Sequence, residues 1–373
     1  MKIEINRKDL LTGIQRVQGV VEKRNTMPIL AHILMETSDD GIRLFATDLE
    51  IGIRGSYPAK ILKPGKMTFS ARKLYEIIRE FPEGTVTITT QENHWVVIES
   101  GKSYFKIVGL PPDEFPSSPP PDSQRKILID SSLFLALIRR TLFASGENDT
   151  RYILNGILLQ LEKIKGNEQG IRFVATDGHR LALAEGLIKA GEDAEEREVI
   201  IPKKAILEIK KALEEDEGGE APELLIGKSQ LVFRRGSFVL TSRLMEGTYP
   251  NYKQVIPKGN VKKVTVIKKD LEGGLRRVSI LAREKTNAIK FSLQEGGITL
   301  SSNNPEMGEA SEEVVTSFKG EGLTTGFNAR YFLDVLSVVK KEEVTLEFKD
   351  ALSPCLIKEE SNNFLAVIMP MRV

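Results

Sequence analysis

The spacing of apolar positions alternates along the chain between two periods. Leu10, Leu11, Ile14, Val17 and Val21 recur at three- and four-residue steps, which sets them on one face of a helix. Leu74, Ile77, Ile78 and Phe81 follow the same step, as do Phe134, Leu137, Ile138 and Leu142. Three more such stripes follow: Ile206, Ile209 and Leu213; Leu271, Leu275 and Val278; Phe332, Val335, Leu336 and Val339. Six helices are therefore predicted. Between them lie short runs with a two-residue period, such as "TVTITT" (85–90), "HWVVIES" (94–100), "QLVFRR" (230–235) and "VTLEF" (344–348). Gly, Asn and Asp bound these runs, so they read as strands joined by tight turns. Each third of the chain runs helix, strands, helix, strands. The predicted fold class is α+β, with each third a doubled helix-plus-strands unit.

The same order returns three times, with three anchors roughly 130 residues apart, the signature of a structural repeat. A strand end enters a polar turn at "FATDLE" (45–50), "VATDGH" (174–179) and "LSSNNP" (300–305). A helix begins at "FSARKLYEII", "IPKKAILEIK" and "FNARYFLDVL", from Phe69, Ile201 and Phe327. A closing strand is expected at "GLPPDEFP" (109–116), "RLMEGTYP" (243–250) and the terminal "VIMPMRV". The proline-rich stretch 110–126 cannot continue a helix or a central strand and reads as a stiff linker. The stretch 249–260 has the same character. Three domains are expected, over 1–120, 127–252 and 253–373.

Charge adds a pattern that the total conceals. The chain carries 53 basic and 52 acidic residues, a net +1. Counted over 7–16, 72–80, 131–144, 203–215, 268–283 and 328–341, every predicted helix is net basic, +11 together, which leaves −10 elsewhere. Lys and Arg are good helix formers, but Glu is as good and should have balanced them. The pattern points one helical layer towards a polyanion, through phosphate contacts that carry no sequence information.

Candidate chemistry is sparse. No P-loop, H-E-x-x-H or G-x-S-x-G motif occurs, and His32, His94 and His179 show no ligand-like spacing. No catalytic residue, metal or cofactor is predicted. The single cysteine, Cys355, rules out a disulfide framework and reads as a small buried hydrophobe; this usage fits the cytoplasm. The first thirty residues mix charge into an amphipathic pattern rather than a signal peptide, and no run is long enough to span a membrane. "ATDGHRLA" (175–182) is the one stretch that resembles a site. Asp177, His179 and Arg180 there admit a hydrolase or transferase reading, against the plainer one of an Asp-Gly turn shared with "ATDLE" in the first repeat.

"RYILNG" (151–156), "ATDGHRLA", "YPNY" (249–252) and the terminal "VIMPMR" together resemble the bacterial DNA polymerase III beta subunit, the replicative sliding clamps. The resemblance runs the whole chain in order and includes "MPILAHIL" (27–34) and "SARKLYEI" (70–77). It implies a head-to-tail homodimeric ring of six like domains, helices inside and sheets outside, around duplex DNA. It implies a non-enzymatic processivity factor that tethers the replicative polymerase catalytic subunit. It also implies opening by a clamp-loader ATPase, and docking of other polymerases and repair proteins through a short peptide. The implied peptide pocket has Leu154, Thr176, Gly178, His179, Arg180, Leu181, Pro250 and Val255 as walls, completed by Val367, Ile368, Met369, Pro370, Met371 and Arg372. The implied DNA contacts are Arg24, Asn148, Arg151, Tyr152 and Lys204, and the implied dimer seam holds Ile280 and Leu281. Two positions depart from the family's usual pattern. Gln254 stands where an arginine is common, and Ile153 where a second tyrosine is common.

Overall fold

The structure is a computed structural model that describes residues 1–21, 27–117, 125–164, 168–190, 195–215, 220–284, 286–359 and 363–372. The first third comprises β1 (Lys2–Asn6), α1 (Arg7–Val17), β2 (His32–Ser38), β3 (Gly41–Thr47), β4 (Ile51–Pro58), β5 (Lys60–Lys63), β6 (Lys66–Ser70), α2 (Ala71–Glu80), β7 (Thr85–Thr90), β8 (Trp95–Ser100) and β9 (Ser103–Val108). The second comprises β10 (Arg125–Leu128), α3 (Ser131–Thr141), β11 (Gly156–Lys163), β12 (Glu168–Thr176), β13 (Arg180–Lys189), β14 (Arg197–Pro202), α4 (Lys203–Glu214), β15 (Glu223–Ile226), β16 (Gln230–Arg235) and β17 (Phe238–Arg243). The third comprises β18 (Lys262–Ile267), α5 (Lys268–Ser279), β19 (Ala288–Gln294), β20 (Gly297–Asn304), β21 (Gly308–Val315), β22 (Leu323–Asn328), α6 (Ala329–Val338), β23 (Glu343–Phe348), β24 (Cys355–Lys358) and β25 (Phe364–Ile368). The six α-helices stand where the three- and four-residue apolar steps put them.

The chain forms two compact units, one of residues 1–131 and 204–244, the other of 132–203 and 245–373. The first unit holds a five-stranded sheet, β5-β1-β7-β8-β9, and an eight-stranded sheet, β10-β15-β16-β17-β4-β3-β2-β6. The second holds an eight-stranded sheet, β14-β11-β12-β13-β25-β24-β23-β18, and a four-stranded sheet, β21-β20-β19-β22. Each eight-stranded sheet is two four-stranded halves from neighbouring thirds. Antiparallel pairing joins them, Leu240 opposite Ile53 between β17 and β4, and Leu181 opposite Val367 between β13 and β25.

Local rules account for the elements. Asn6 caps α1 and Asn328 caps α6, each side-chain oxygen accepting from the backbone N–H two residues on. On α1, Leu10, Ile14 and Val17 are fully buried, and Gly13 lets the helix close on its sheet: a Cβ there would lie 2.7 Å from the Tyr57 ring and 2.8 Å from Leu44. In the third repeat Phe291, Phe327 and Phe332 bury their rings together with centroids 4.8–5.3 Å apart. Cys355 is fully buried on β24, opposite Ile368, and burial pushes its thiol pKa well up.

Two readings need correction. The "GLPPDEFP", "RLMEGTYP" and "VIMPMRV" segments lie mostly beyond their strands: β9, β17 and β25 end at Val108, Arg243 and Ile368, with a proline within three residues after β9 and β25 but not after β17. Only five helices are net basic. α6 stops at Val338, so Lys340 and Lys341 fall outside it, and Arg330 is balanced by Asp334. In the third repeat the Asn304 side chain accepts from the Glu306 N–H in the turn after β20.

Candidate functional site

The Thr-Asp turn is one hydrogen-bonded device used twice. In the second repeat the Thr176 hydroxyl donates to the Arg180 carbonyl (2.7 Å) and accepts from the Gly178 N–H (3.0 Å). Asp177 accepts from the N–H groups of His179 and Arg180 (2.9 and 3.0 Å). In the first repeat Thr47 donates to Ile51 and accepts from Leu49, while Asp48 accepts from Glu50 and Ile51. The third residue of each turn is left-handed, Gly178 at φ +84° and Leu49 at φ +79°. Glycine in the second repeat also makes room: a Cβ on Gly178 would lie 2.8 Å from an Arg151 guanidinium nitrogen.

What differs in the second repeat is the use of the side chains. The Arg180 Nε donates to Asp177 (3.0 Å) and an Nη to Asp334 (2.5 Å), and its guanidinium lies 4.5 Å over the Tyr331 ring and 5.4 Å from Phe143. The His179 ring stacks on Tyr331 at 6.5 Å and 20°. These groups line a cavity of about 570 Å³ with Asp149, Lys203, Asn328 and Arg330. Burial, then the nearby Asp177, raises the Tyr331 pKa. Phe143, Tyr331 and Asp334 did not stand out in the sequence, because their positions on α6 and after α3 are ordinary for core and surface.

The chain end closes the other side. β25 pairs with β13, Arg180 opposite Ile368, and the Met369 N–H donates to the His179 carbonyl (2.9 Å) beyond the strand. The Met371 N–H donates to Gly326 (2.8 Å), which pins the tail to β22. Beneath, Leu158, Val174, Leu181, Leu183, Ile200, Tyr249, Tyr252, Leu356 and Val367 form one buried cluster. Tyr249 reaches up from it and accepts from the Thr176 N–H (3.1 Å); burial raises that phenol's pKa. The 249–252 turn, the Thr176–Arg180 turn and β25 are thus joined through one core.

Within this junction the implied pocket residues divide by exposure. Leu154, Leu181, Val367 and Ile368 are buried and form its floor, and Thr176 is nearly so. Gly178, His179, Pro250, Val255, Met369 and Arg372 are exposed, and Arg180, Pro370 and Met371 half-buried. Met369 exposes 36% of its surface as the first apolar side chain after β25.

Of the implied DNA contacts, Arg24 lies outside the described residues. Asn148 is exposed at φ +56°, and Tyr152 is 56% exposed with its hydroxyl donating to the Glu246 carbonyl. Arg151 is clamped: its guanidinium donates to Asp149 through Nε (3.0 Å) and an Nη (2.9 Å), and to the Asp177 carbonyl (3.0 Å). Those bonds hold the Asp149 carboxyl at a pKa of about 2. The Lys204 ammonium donates to Val20 and pairs with Asp48. Ile280 is 73% exposed just after α5, and Leu281 half-buried beside it.

The arrangement is poorly suited to acid–base chemistry. Asp177 is committed to its turn and to Arg180, and the His179 ring has no hydrogen-bond partner among the described residues to orient it. No group of three or more His, Cys, Asp or Glu that could hold a metal occurs among the described residues.

Fold and junction define a class first: a threefold-repeated α+β protein, without a catalytic constellation among the described residues, that presents a surface edge. Sequence comparison then makes the assignment. Residues 1–119, 128–251 and 253–372 match the N-terminal, central and C-terminal domains of the DNA polymerase III beta subunit, and the chain belongs to that family. It is 37% identical over 377 residues to the beta sliding clamp of Caulobacter vibrioides and 33% over 376 to that of Escherichia coli, with all of each chain covered. Its fold superposes on the sliding clamp of Bartonella birtlesii bound to griselimycin with a TM-score of 0.94 at 35% identity. It superposes on a DNA polymerase III beta subunit from Eubacterium rectale at 0.91 and 29%, again over both whole chains. The function is that of a processivity clamp, and the protein is not an enzyme. No described helix is long and apolar enough to cross a membrane.

Proposed function

We propose that two copies of this chain close head to tail into a ring around duplex DNA and hold the replicative polymerase there. The observation that carries this reading is the unfinished strand pairing. The second and third thirds each contribute two four-stranded half-sheets, and the first contributes one of four strands and one of five. β4 pairs with β17 and β13 with β25, so a first half-sheet meets the second half-sheet of a neighbouring third. By the same rule β21 should meet β9, yet both are edge strands. β9 carries exposed Tyr104, Phe105 and Val108 with Lys106, Lys102 stands just before it, and β21 carries Glu309, Glu312, Glu313 and exposed Val315. Exposed edges of this kind invite pairing with another chain. A second copy supplies the missing partner at each end, with Ile280 and Leu281 at the seam.

In this ring the domains are 1–120, 127–252 and 253–373, the helices line the hole and the sheets form the wall. Many helix cations already face carboxylates, such as Arg72 and Lys73 with Glu76 and Arg276 with Glu272, so the field on DNA is diffuse and suits sliding. Asn148, Arg151, Tyr152, Lys204 and Arg24 are the proposed contacts to duplex. The exposed rim formed by Gly178, His179, Pro250, Val255, Met369, Pro370 and Met371, over the floor of Leu154, Leu181, Val367 and Ile368, docks a short extended peptide of the polymerase catalytic subunit, the clamp-loader ATPase and other polymerases and repair proteins. Thr176 and Arg180 hold the turn that shapes the rim, and Arg372 extends it. The working compartment is the cytoplasm.

The experiment loads the protein with its loader and ATP on nicked circular DNA. The ring reading requires retention at moderate salt and release once the circle is linearised. Equal retention on circular and linear DNA would falsify it.

A further inference from the structure

The rim does not end at Met371. Beyond the bond from the Met371 N–H to Gly326, the tail opens on a cavity of about 930 Å³ lined by residues from the end of α5, from β19, β20 and β21, and by Met371 and Arg372. Three cations line it: Arg283 after α5, Lys290 on β19 and Arg372 on the tail. None has an ion-pair partner among the described residues, whereas Arg276 and Arg277, earlier on α5, are paired with Glu272 and Glu312. Glu309 is the one acid in the lining, and Asn303 with serines supplies further polar groups. The site is wide, polar and net positive, and it continues the proposed docking edge.

We infer that this cavity is an anion-accepting extension of the docking groove, which takes the carboxylates of Asp or Glu residues flanking the apolar anchors of a docked peptide. This rests on the groove reading above. Chemistry favours a flexible acidic segment over a fixed small anion, because three cations spread over so large a cavity suit a chain that adapts. An extended peptide advances about 3.3 Å per residue, so acids a few residues beyond an anchor beside Met369 reach the lining. Ion pairs at such exposed sites are individually weak, so the gain comes from two or three acting together. They sharpen the choice among apolar peptides that otherwise fit alike.

The test uses fluorescence polarisation with the full-length protein and three versions of one apolar-anchored peptide: neutral, acidic on its N-terminal flank, and acidic on its C-terminal flank. One acidic version should bind about threefold to tenfold tighter at low salt, the advantage fading as salt rises. Arg283→Gln with Lys290→Gln should erase that advantage and leave the neutral peptide unchanged, and Lys290→Glu should make the acidic version the weaker. Equal affinity of all three peptides, or an advantage that survives both variants, overturns the inference and leaves the groove intact. Failure of every peptide to bind overturns the groove reading as well. If the double variant weakens retention on circular DNA while the peptides stay equal, the cations serve phosphate and the inference is wrong.

Discussion

At the level of single residues, the two Thr-Asp turns form a natural comparison. Both hold their third residue at positive φ, a region that costs a non-glycine residue about 1–2 kcal/mol. Gly178 avoids this cost and Leu49 bears it on an exposed turn. Leu49→Gly should therefore leave stability unchanged or raise it by up to about 1 kcal/mol, once glycine's greater unfolded-state freedom is set against relief of strain. Gly178→Ala should lower it and also disturb Arg151. Urea midpoints of the two variants measure both effects. The Arg151 clamp has a pH signature of its own. Asp149 is depressed to about 2 from an ordinary value near 3.8, so its contribution is fully present above pH 4 and lost as pH falls towards 2. A carboxyl NMR titration should find Asp149 still ionised at pH 3; an ordinary midpoint near 3.8 would mean that the clamp is open. The sequence pointed to this turn because Asp-Gly is a strong local signal. It did not reveal Tyr331, Asp334 and Phe143 around Arg180, because cation–π and ion-pair partners more than 30 residues away leave no local pattern.

At the level of elements, helices and most strands were legible because their signals are local. The apolar step of α1 or α6 is complete within three turns, and "TVTITT" alternates within itself. The errors came where a boundary is set by something else. Prolines follow within three residues of the ends of β9 and β25, so those strands stopped earlier than their apolar composition suggested, and α6 stopped before the lysines that would have made it basic. Strand partners were not legible at all, since the choice of β4 for β17 depends on edges almost 200 residues apart. The helix-on-sheet contact at Gly13 is likewise a tertiary fact. Gly13→Ala should cost about 1–3 kcal/mol, because the new methyl meets Tyr57 and Leu44 inside a packed layer. The tail shows the same division within one element. Val367 and Ile368 are fully buried in β25, while Met369 is exposed. Met369→Ala should weaken a docked apolar peptide by about tenfold and spare the fold, as loss of an anchor contact does. Deletion from Val367 onward should instead damage the sheet, so its effect on binding would not report on the rim. Unchanged peptide affinity in Met369→Ala would remove the methionine from the docking site.

At the level of the whole molecule, β9 and β21 each stand at the edge of a sheet with no further strand paired to them among the described residues. An open edge such as β9, with Tyr104, Phe105 and Val108 exposed beside lysines, is a liability unless something covers it. β21 offers the complementary chemistry, glutamates and an 82% exposed Val315, and Ile280 is a further exposed apolar residue just after α5. Pairing the two between copies buries the apolar residues and sets opposite charges across the ladder. Ile280 is the informative position because its exposure means a charge there leaves the monomer's core untouched. Ile280→Arg should keep the thermal unfolding midpoint of the isolated chain and shift sedimentation from a dimer towards the 41.6 kDa monomer. The same variant should lose retention on closed circles while still binding a docking peptide, since the groove lies wholly within residues 132–203 and 245–373. A dimer that persists in Ile280→Arg, and also in a β21 variant with the exposed Glu313 replaced by Lys, would place the contact between copies elsewhere. The unpaired edges would then need another partner.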